Sequence, residues 1–207
     1  MRALTRKLQR DGWHYRSQIG AIALVMASGV ALFISMRSMH GYLRDRQASY
    51  YADYHFADVF AQVKRAPAAV ANRLRAIPGV EGLESRVVSL AVLDVPRLPE
   101  PATGWLVSIP EEPRPMLNGI VLRSGRYPSA GRVDEVLISQ AFARANNLRA
   151  GDTLGAILRG RWQTLRVVGT AISPEFIYEI PPGGSIFPDN RRFGVIWMLE
   201  RSASMTR

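Results

Sequence analysis

The chain of 207 residues contains no cysteine. This absence excludes a disulfide framework, a thiolate metal cluster and a cysteine nucleophile, and it leaves the redox compartment undetermined. Histidine is also scarce: His14, His40 and His55 have no His-x3-His or other metal-ligand spacing. His55 lies between Asp53 and Asp58, which makes this the one local cluster of potential ligands. We interpret the cluster as a solvated face beside a membrane segment and expect no metal-binding residues.

Motifs of catalysis and nucleotide binding are missing as well. The sequence has no Gly-x4-Gly-Lys-Ser/Thr phosphate loop, no dinucleotide fingerprint and no Gly-x-Ser-x-Gly elbow. Asp134 and Glu135 are adjacent on a predicted strand, so their carboxylates point to opposite faces and cannot form an acid–base pair. We therefore predict a protein that is not an enzyme, with no catalytic and no cofactor-binding residues.

The composition is that of a globular protein with a strong basic excess. Hydrophobic residues make up 47% and charged residues 21%, which excludes a disordered or fibrous chain. The formal net charge is +10, a balance typical of nucleic-acid binders and of proteins near anionic lipid. Residues 1–18 carry +4 of this charge, and the other +6 is spread thinly, without a basic face interleaved with aromatics. We expect no nucleic-acid partner.

An uncharged run covers residues 19–36. As a helix it would be about 27 Å long, close to the roughly 30 Å hydrocarbon core of a bilayer. The run predicts a transmembrane helix in contact with membrane lipid. A cleaved signal peptide is the alternative, with Gly29-Val30-Ala31 as the cleavage site, but Leu32-Phe33-Ile34 continue the run beyond that site. A buried soluble helix is disfavoured, because only two serines interrupt the run.

The flanks of this run predict its orientation. Five basic residues precede the run and three follow within ten residues, so the positive-inside rule places residues 1–18 in the cytoplasm. Everything from Arg37 onward would then lie in the periplasm, outside the bacterial plasma (inner) membrane. Small residues recur in the run at spacings of three and four: Gly20, Ala23, Ala27 and Ala31. The spacing would permit close approach of another helix, and the alternative is ordinary lipid-facing sequence.

Residues 37–54 favour a helical stalk that continues the membrane helix, since no proline interrupts them. Tyr42 fits an aromatic belt at the membrane surface. We expect Tyr50, Tyr51 and Tyr54 instead to pack the stalk against the following domain.

The remaining residues, 55–207, predict an α+β domain. Ser139 is a good N-cap for a helix whose apolar face is Phe142, Ala145 and Leu148. Arg159-Gly160-Arg161 predicts a hairpin turn. Periodicity and breakers predict helices over 67–77 and 139–147, a loop at 183–185, and strands over 57–63, 86–93, 105–109, 119–123, 135–138, 153–158, 162–168 and 193–198.

The order of these segments resembles a known family. The sequence is similar to the first transmembrane helix and periplasmic core domain of FtsX/MacB-like permease subunits of ABC transporters. The resemblance depends on five segments: Pro67 to Ile77 closed by Pro78-Gly79-Val80, Leu122 to Pro128, Asp134 to Ser139, Leu148 to Asp152, and Arg166 to Gly169. It implies a mixed α/β extracytoplasmic core with a β-rich subdomain.

Members of this family have more transmembrane helices than this sequence predicts. Members carry at least four transmembrane helices, whereas this sequence has one predicted span and ends at Arg207. The apolar stretch from Phe193 to Met198 is too short to cross a bilayer. We therefore expect a truncated permease, with a core domain that is incomplete at its C-terminus.

The resemblance implies that a separate cytoplasmic ATPase subunit binds ATP and moves the membrane helices of a homo- or heterodimer of permease subunits. Substrates in the family include lipids, lipoproteins and peptides. A substrate or partner surface is expected in the loops 96–115 and 174–188, formed by their apolar residues: Leu98, Phe176, Ile177, Tyr178, Ile186 and Phe187. The alternative is that these six side chains cap the core. The alternative function is a single-pass anchored periplasmic binding or scaffold module without transport activity.

Overall fold

A computed structural model describes residues 13–64, 67–114, 116–158, 160–183 and 186–200. The chain divides into two compact units, Met1–Tyr50 and Tyr51–Arg207. One long helix, α1, covers Arg16–Asp53 and has no buried residue. Its 38 residues correspond to about 57 Å of helix.

Helix α1 includes both the predicted membrane run and most of the predicted stalk, so the expected helical continuation is confirmed. By length and composition it could cross a membrane, a criterion that a signal sequence near the N-terminus would also meet. Insertion into a bilayer therefore stays a prediction. Tyr42 is exposed on this helix, and the guanidinium of Arg46 lies over its ring, 5.0 Å from the centroid.

The second unit combines short helices with one sheet, which confirms the α+β class. Its helices are α2, Ala68–Arg75, and α3, Gln140–Asn146, with a 3-10 turn at Pro174–Phe176. The strands are β1 Val88–Asp94, β2 Ala102–Ile109, β3 Val121–Gly125, β4 Glu135–Ser139, β5 Thr153–Leu158, β6 Arg161–Ile172 and β7 Phe193–Leu199.

Six of these strands close into a barrel. The sheet has the order β3-β6-β4-β7-β2-β1-β5. An additional β5–β6 pairing closes the ring from β6 through β4, β7, β2 and β1 to β5, and β3 pairs with β6 outside this ring. The closure depends on the length of β6: its first half pairs with β5 as a hairpin, and its second half pairs with β3 and β4. The β2–β7 and β4–β6 pairs are parallel, and the others are antiparallel.

The core occupies both sides of the barrel wall. Alternate residues of β1, β4, β5 and β6 form one buried cluster, to which α3 and the residues after it contribute Phe142 and Leu148. The opposite faces of β2, β4 and β7 form a second cluster around Trp197, covered by loop residues such as Ile120 and Tyr127. Strands β4 and β7 are consequently buried along their whole length, which explains their continuous apolar sequences.

The strand predicted over 57–63 is wrong. Residues 59–63 belong to no helix or strand, and Val59 is 82% exposed. Alternating sequence marks the side chains that a sheet would bury, but a strand also needs a neighbour to pair with its backbone. No strand of the described residues takes that place.

Two details of α3 differ from the prediction. Ser139 occupies the N-cap position, but its side chain makes no capping hydrogen bond. Its hydroxyl instead donates a hydrogen bond to the buried carboxyl group of Glu179, in a distant loop. Of the predicted apolar face, Phe142 and Leu148 are buried, whereas Ala145 is only half-buried and Ala143 is buried in its place. The predicted loop at 183–185 is described only at Gly183, which has a positive φ of 70°.

Candidate functional site

The first candidate site is the junction, defined as residues 51–60 together with Asn118 and Gly119. Helix α1 ends at Asp53, and the chain turns at His55, whose φ is +48°. Three hydrogen bonds of 3.0 Å hold this turn: Gly119 N donates to Tyr54 O, Asn118 N donates to His55 O, and Ala57 N donates to Asn118 Oδ1. The end of the helix is thus bonded to one loop of the domain.

Aromatic rings continue this attachment. The ring of Tyr51 stacks on that of Phe56 with centroids 4.4 Å apart, and Phe56 contacts Phe60 at 5.6 Å. Tyr51 and Tyr54 are half-buried. Tyr50 has the same intermediate exposure.

Asn118 connects the junction to the barrel. It is a buried polar residue, 3% exposed, in the left-handed backbone region. Its carbonyl accepts a hydrogen bond from Ser173 Oγ at 3.2 Å, directly after strand β6. Because buried polar groups are costly to leave unpaired, this network holds a defined geometry between the end of α1 and the longest strand of the barrel. The role of Asn118 was not predictable from the sequence, since its partners lie 55 and 61 residues away.

The second candidate site is the apolar loop, defined as residues 177–187. Of the six apolar residues expected to form a substrate or partner surface, four are strongly exposed: Ile177, Tyr178, Ile186 and Phe187. The other two cap the core. Leu98 packs against the barrel cluster, and Phe176 lies edge-on to Trp197 with centroids 6.2 Å apart.

Glu179 fixes the base of the apolar loop. Its carboxyl group is buried and accepts a 2.6 Å hydrogen bond from Ser139 Oγ, which in turn accepts one from Val195 N at 3.3 Å. Burial raises the pKa of Glu179 to about 7. It is the only charged residue in the loop sequence, so the outward surface of the described loop residues carries no charge.

A third exposed apolar surface lies on the outside of the barrel. Val92 on β1 is opposite Ile157 on β5, and Ile157 is opposite Trp162 on β6. All three side chains are exposed, as is Leu90 on the same face of β1. Cross-strand neighbours on one face form a contiguous patch. The β5–β6 hairpin accounts for the neighbours Ile157 and Trp162, but the full patch was not predictable from the sequence, because it also needs the pairing of β1 with the distant strand β5.

The adjacent carboxylates Asp134 and Glu135 both contact Arg132, Glu135 at 3.9 Å, but the short contacts of Glu135 are to Arg126. Arg126 forms a bidentate pair with the buried Glu135 through bonds of 2.6 and 2.7 Å, and Ser129 N donates to the same carboxylate at 2.9 Å. The hydrogen bonds from Arg126 lower the pKa of Glu135 to about 2. Asp134 lies 3.3 Å from Arg132. This arrangement is suited to holding the turn before β4 rather than to proton transfer.

One open cavity, of about 320 Å³, lies beside Gly125, Gly151 and Arg166 and is bordered by Arg126, which is already bound to Glu135. His55 is exposed, and no cluster of three metal-ligating side chains occurs in the described part of the chain.

Comparison with protein-family models finds no match, and neither does comparison with curated proteins. Among solved structures, the chain is similar to the crystal structure of the extracellular domain of the noncanonic ABC-type transporter YknZ from Gram-positive bacteria. The identity is 13% and the TM-score 0.41, over 67% of this chain and 64% of that one. The match thus covers less than two thirds of the solved domain, and similarity at this level establishes no shared function.

Proposed function

We propose that the chain is a membrane-spanning permease subunit, or a fragment of one, of an FtsX/MacB-like ABC transporter. In this proposal it couples a cytoplasmic ATPase to conformational change in a periplasmic domain, for export or extraction of a lipid, a lipoprotein or a peptide. The observation that carries the proposal is helix α1, which continues from the apolar run to the hydrogen-bonded junction without a break. A continuous helix can transmit a displacement along its axis.

The proposed topology divides the chain into four parts. Residues 1–18 lie in the cytoplasm, 19–36 cross the inner membrane, 37–54 form the stalk, and 55–207 form a MacB-like periplasmic core domain that is incomplete at its C-terminus. The uncharged run and the basic residues before it support this assignment.

The proposed coupling path follows buried and backbone hydrogen bonds. A movement of α1 reaches the carbonyl groups of Tyr54 and His55, passes to the amides of Gly119 and Asn118, and reaches β6 through Ser173. Strand β6 pairs with β3, β4 and β5. A displacement at the junction would therefore be distributed over much of the barrel.

The energy for this movement would come from another subunit. The sequence lacks a phosphate-binding loop, so ATP would bind only to a separate cytoplasmic ATPase. The proposed assembly also contains a homo- or heterodimer of permease subunits surrounded by membrane lipid.

The alternative is a single-pass anchored binding or scaffold module. The specific observation that favours it is the apolar loop, because Tyr178 and Ile186 are 74% and 80% exposed without an exposed charge among the described loop residues. An exposed apolar surface of this kind is typical of a binding site for a hydrophobic partner. The two functions differ in whether the domain responds to nucleotide.

The topology is tested by labelling single cysteines, since the natural chain has none. Ser17→Cys lies before the apolar run and Ala130→Cys in an exposed turn of the domain. A membrane-impermeant maleimide applied to intact spheroplasts is expected to label only Ala130→Cys. Labelling of Ser17→Cys instead, or recovery of the chain as a soluble protein cleaved after Ala31, would contradict the anchor.

The coupling is tested by interrupting α1. Ala48→Pro should break the helix between the membrane run and the junction, whereas the matched control Ala48→Leu preserves it. In the chain purified with its ATPase, nucleotide is expected to change hydrogen exchange at Asn118 and Gly119 in the natural chain and in Ala48→Leu. Ala48→Pro should abolish that change. An equal response in all three proteins would reject transmission through the helix and favour the alternative.

A further inference from the structure

Two exposed aromatic side chains flank the predicted membrane run, and an arginine covers each of them. The guanidinium of Arg16 lies over the ring of Trp13, 4.8 Å from its centroid, and that of Arg46 lies over the ring of Tyr42 at 5.0 Å. Trp13 is 72% exposed and Tyr42 is 59% exposed. An arginine that is stacked on a ring in this way can still present its N–H groups to an anion.

The two aromatic residues are placed symmetrically about the uncharged run. The midpoint between Trp13 and Tyr42 lies between positions 27 and 28, which is also the midpoint of residues 19–36. Residues 13 and 14 are helical like α1, so a rise of about 1.5 Å per residue gives about 43 Å from Trp13 to Tyr42. A bilayer with its headgroups is roughly 40–45 Å thick. Both rings therefore match the depth of the headgroups, about 22 Å from the centre of the run.

The two arginines reach this depth from opposite sides. The backbone of Arg16 is about 17 Å from the centre of the run and that of Arg46 about 28 Å from it. Side chains on a helix point toward its N-terminus. Arg16 therefore extends outward from the hydrocarbon boundary to the ring of Trp13, whereas Arg46 extends back toward the membrane to the ring of Tyr42. Their ring contacts place both guanidiniums at the level of the headgroups.

Both guanidiniums can bind an anion at this level. Arg16 and Arg46 are exposed, and neither forms an ion pair within the part of the chain that the structure describes. The anion of the headgroup layer is the phosphate group of a phospholipid, to which a guanidinium can donate two parallel hydrogen bonds. Trp and Tyr favour the same layer, because one end of each side chain is apolar and the other is polar.

We propose that Arg16 and Arg46 each bind the phosphate group of a phospholipid, one in each leaflet, with the guanidinium positioned by the ring of Trp13 or Tyr42. The two sites fix the depth of α1, because a shift along its axis would withdraw one guanidinium from its headgroup layer. They also assign residues 37–42 of the predicted stalk to that layer, so that residues 43–53, about 16 Å of helix, extend beyond it. The inference rests on the proposed function only for membrane insertion, and it requires neither ATPase nor transport.

The lipid sites are tested by native mass spectrometry of the full chain released from phospholipid nanodiscs into mild detergent. We expect the natural chain to retain two phospholipids, and the two-lipid species to fall severalfold in Arg16→Ala and in Arg46→Ala. Arg46→Lys keeps the charge but loses the paired donors, and Tyr42→Leu loses the ring, so both should behave like Arg46→Ala.

Arg44→Ala is the matched control, because Arg44 is exposed but contacts no ring among the described residues. It should retain both lipids. Equal loss in Arg44→Ala, or full retention in Arg16→Ala and Arg46→Ala, would overturn the proposal. Inorganic phosphate at millimolar concentration should leave the lipids bound, and their release by it would overturn the assignment to phospholipid.

The depth of the helix is tested with a fluorophore on single cysteines, quenched by nitroxide lipids in nanodiscs. Ser17 and Ser38 are equally distant from the centre of the run, and Ser28 lies beside it. We expect equal, shallow depths for Ser17→Cys and Ser38→Cys and a deep position for Ser28→Cys. Unequal depths of the two outer cysteines with Ser28→Cys still deep would overturn the proposal and leave the anchor intact. A fluorophore at Ser28→Cys that no lipid quenches would reject the anchor, and the lipid sites with it.

Discussion

The free energy of unfolding of the natural chain is expected to fall as the pH rises from about 4.5 to 7, and Glu179→Gln is expected to abolish this fall. The ordinary pKa of the carboxyl group is 4.5, and burial raises it to about 7 in the folded chain. Below pH 4.5 both states hold the proton and folding carries no penalty. As the pH rises toward 7, the unfolded chain releases the proton first, so the unfolded state is increasingly favoured. Above pH 7 the penalty is constant.

The size of the effect follows from the two pKa values. One pKa unit corresponds to about 1.4 kcal/mol, so the difference between 4.5 and about 7 gives a penalty of at most about 3 kcal/mol at pH 8. Glutamine is uncharged at every pH, and its amide oxygen can still accept the hydrogen bond from Ser139 Oγ. Glu179→Gln should therefore match the natural chain at pH 4 and exceed its free energy of unfolding by about 1 to 3 kcal/mol at pH 8.

The assay is denaturant unfolding of the full chain in nanodiscs, followed by tryptophan fluorescence, in which the buried Trp197 should report loss of the core. Glu100→Gln is the matched control, because Glu100 is exposed and its replacement should leave the pH profile unchanged. If Glu179→Gln keeps the natural decline between pH 4.5 and 7, the decline has another origin and the burial assigned to this carboxyl group is wrong.

Three further substitutions test other contacts by the same unfolding assay or by hydrogen exchange. Glu135→Gln should lower the free energy of unfolding at pH 7, because it removes the charged pair with Arg126. The loss should be only about 1 to 2 kcal/mol, because Arg126 is half-exposed and solvent screens part of the pair. The natural chain should lose the same contribution as the pH falls from 4.5 toward 2, the folded pKa of Glu135. Gly194→Ala should cost about 3 kcal/mol or more, since its Cβ would lie 2.4 Å from Phe142 Cγ in the core. Asn118→Gly should speed exchange of the Ala57 amide by removing its acceptor.

Each substitution has a matched control. Glu84→Gln removes a carboxylate that accepts one hydrogen bond, from Arg114, and should cost less than Glu135→Gln, whose more deeply buried carboxylate accepts two from Arg126 and one from Ser129 N. Gly160→Ala adds a methyl group in open space and should cost only about 1 kcal/mol for its positive φ. Asn118→Asp keeps the acceptor and should preserve protection of Ala57. A control that behaves like its test substitution would contradict the assigned contact.

The elements that depend on local pattern were predictable from the sequence. Continuous apolar residues identified β4 and β7, and Arg159-Gly160-Arg161 identified the β5–β6 hairpin. The barrel closure was not predictable in this way, because it also depends on pairings between strands distant in sequence, such as β1 with β5 and β2 with β7. The same limit explains the wrong strand at 57–63: alternation describes one chain segment and contains no information about its neighbour.

The polar contacts of the junction and of the apolar loop were also not predictable from local sequence, because their partners are distant along the chain. Ser139 was correctly placed before α3, but its hydroxyl binds Glu179, 40 residues later in the chain. Asn118 has partners at 57 and 173, on opposite sides of it in the sequence. The exposed residues Ile177 and Tyr178 were identified because a loop with several apolar side chains and few charges has no core of its own. Whether these side chains are buried or exposed could be decided only from the positions of the strands beneath them.

Hydrogen exchange at the junction distinguishes a domain that responds to nucleotide from one that does not. The full chain, extracted from its membrane together with its ATPase, is compared with and without nucleotide at the amides of Asn118 and Gly119, which donate to the carbonyl groups at the end of α1. The proposed coupling predicts a nucleotide-dependent change in protection at these two amides that Ala48→Pro abolishes. Unchanged protection in a complex that hydrolyses ATP would contradict transmission through the helix.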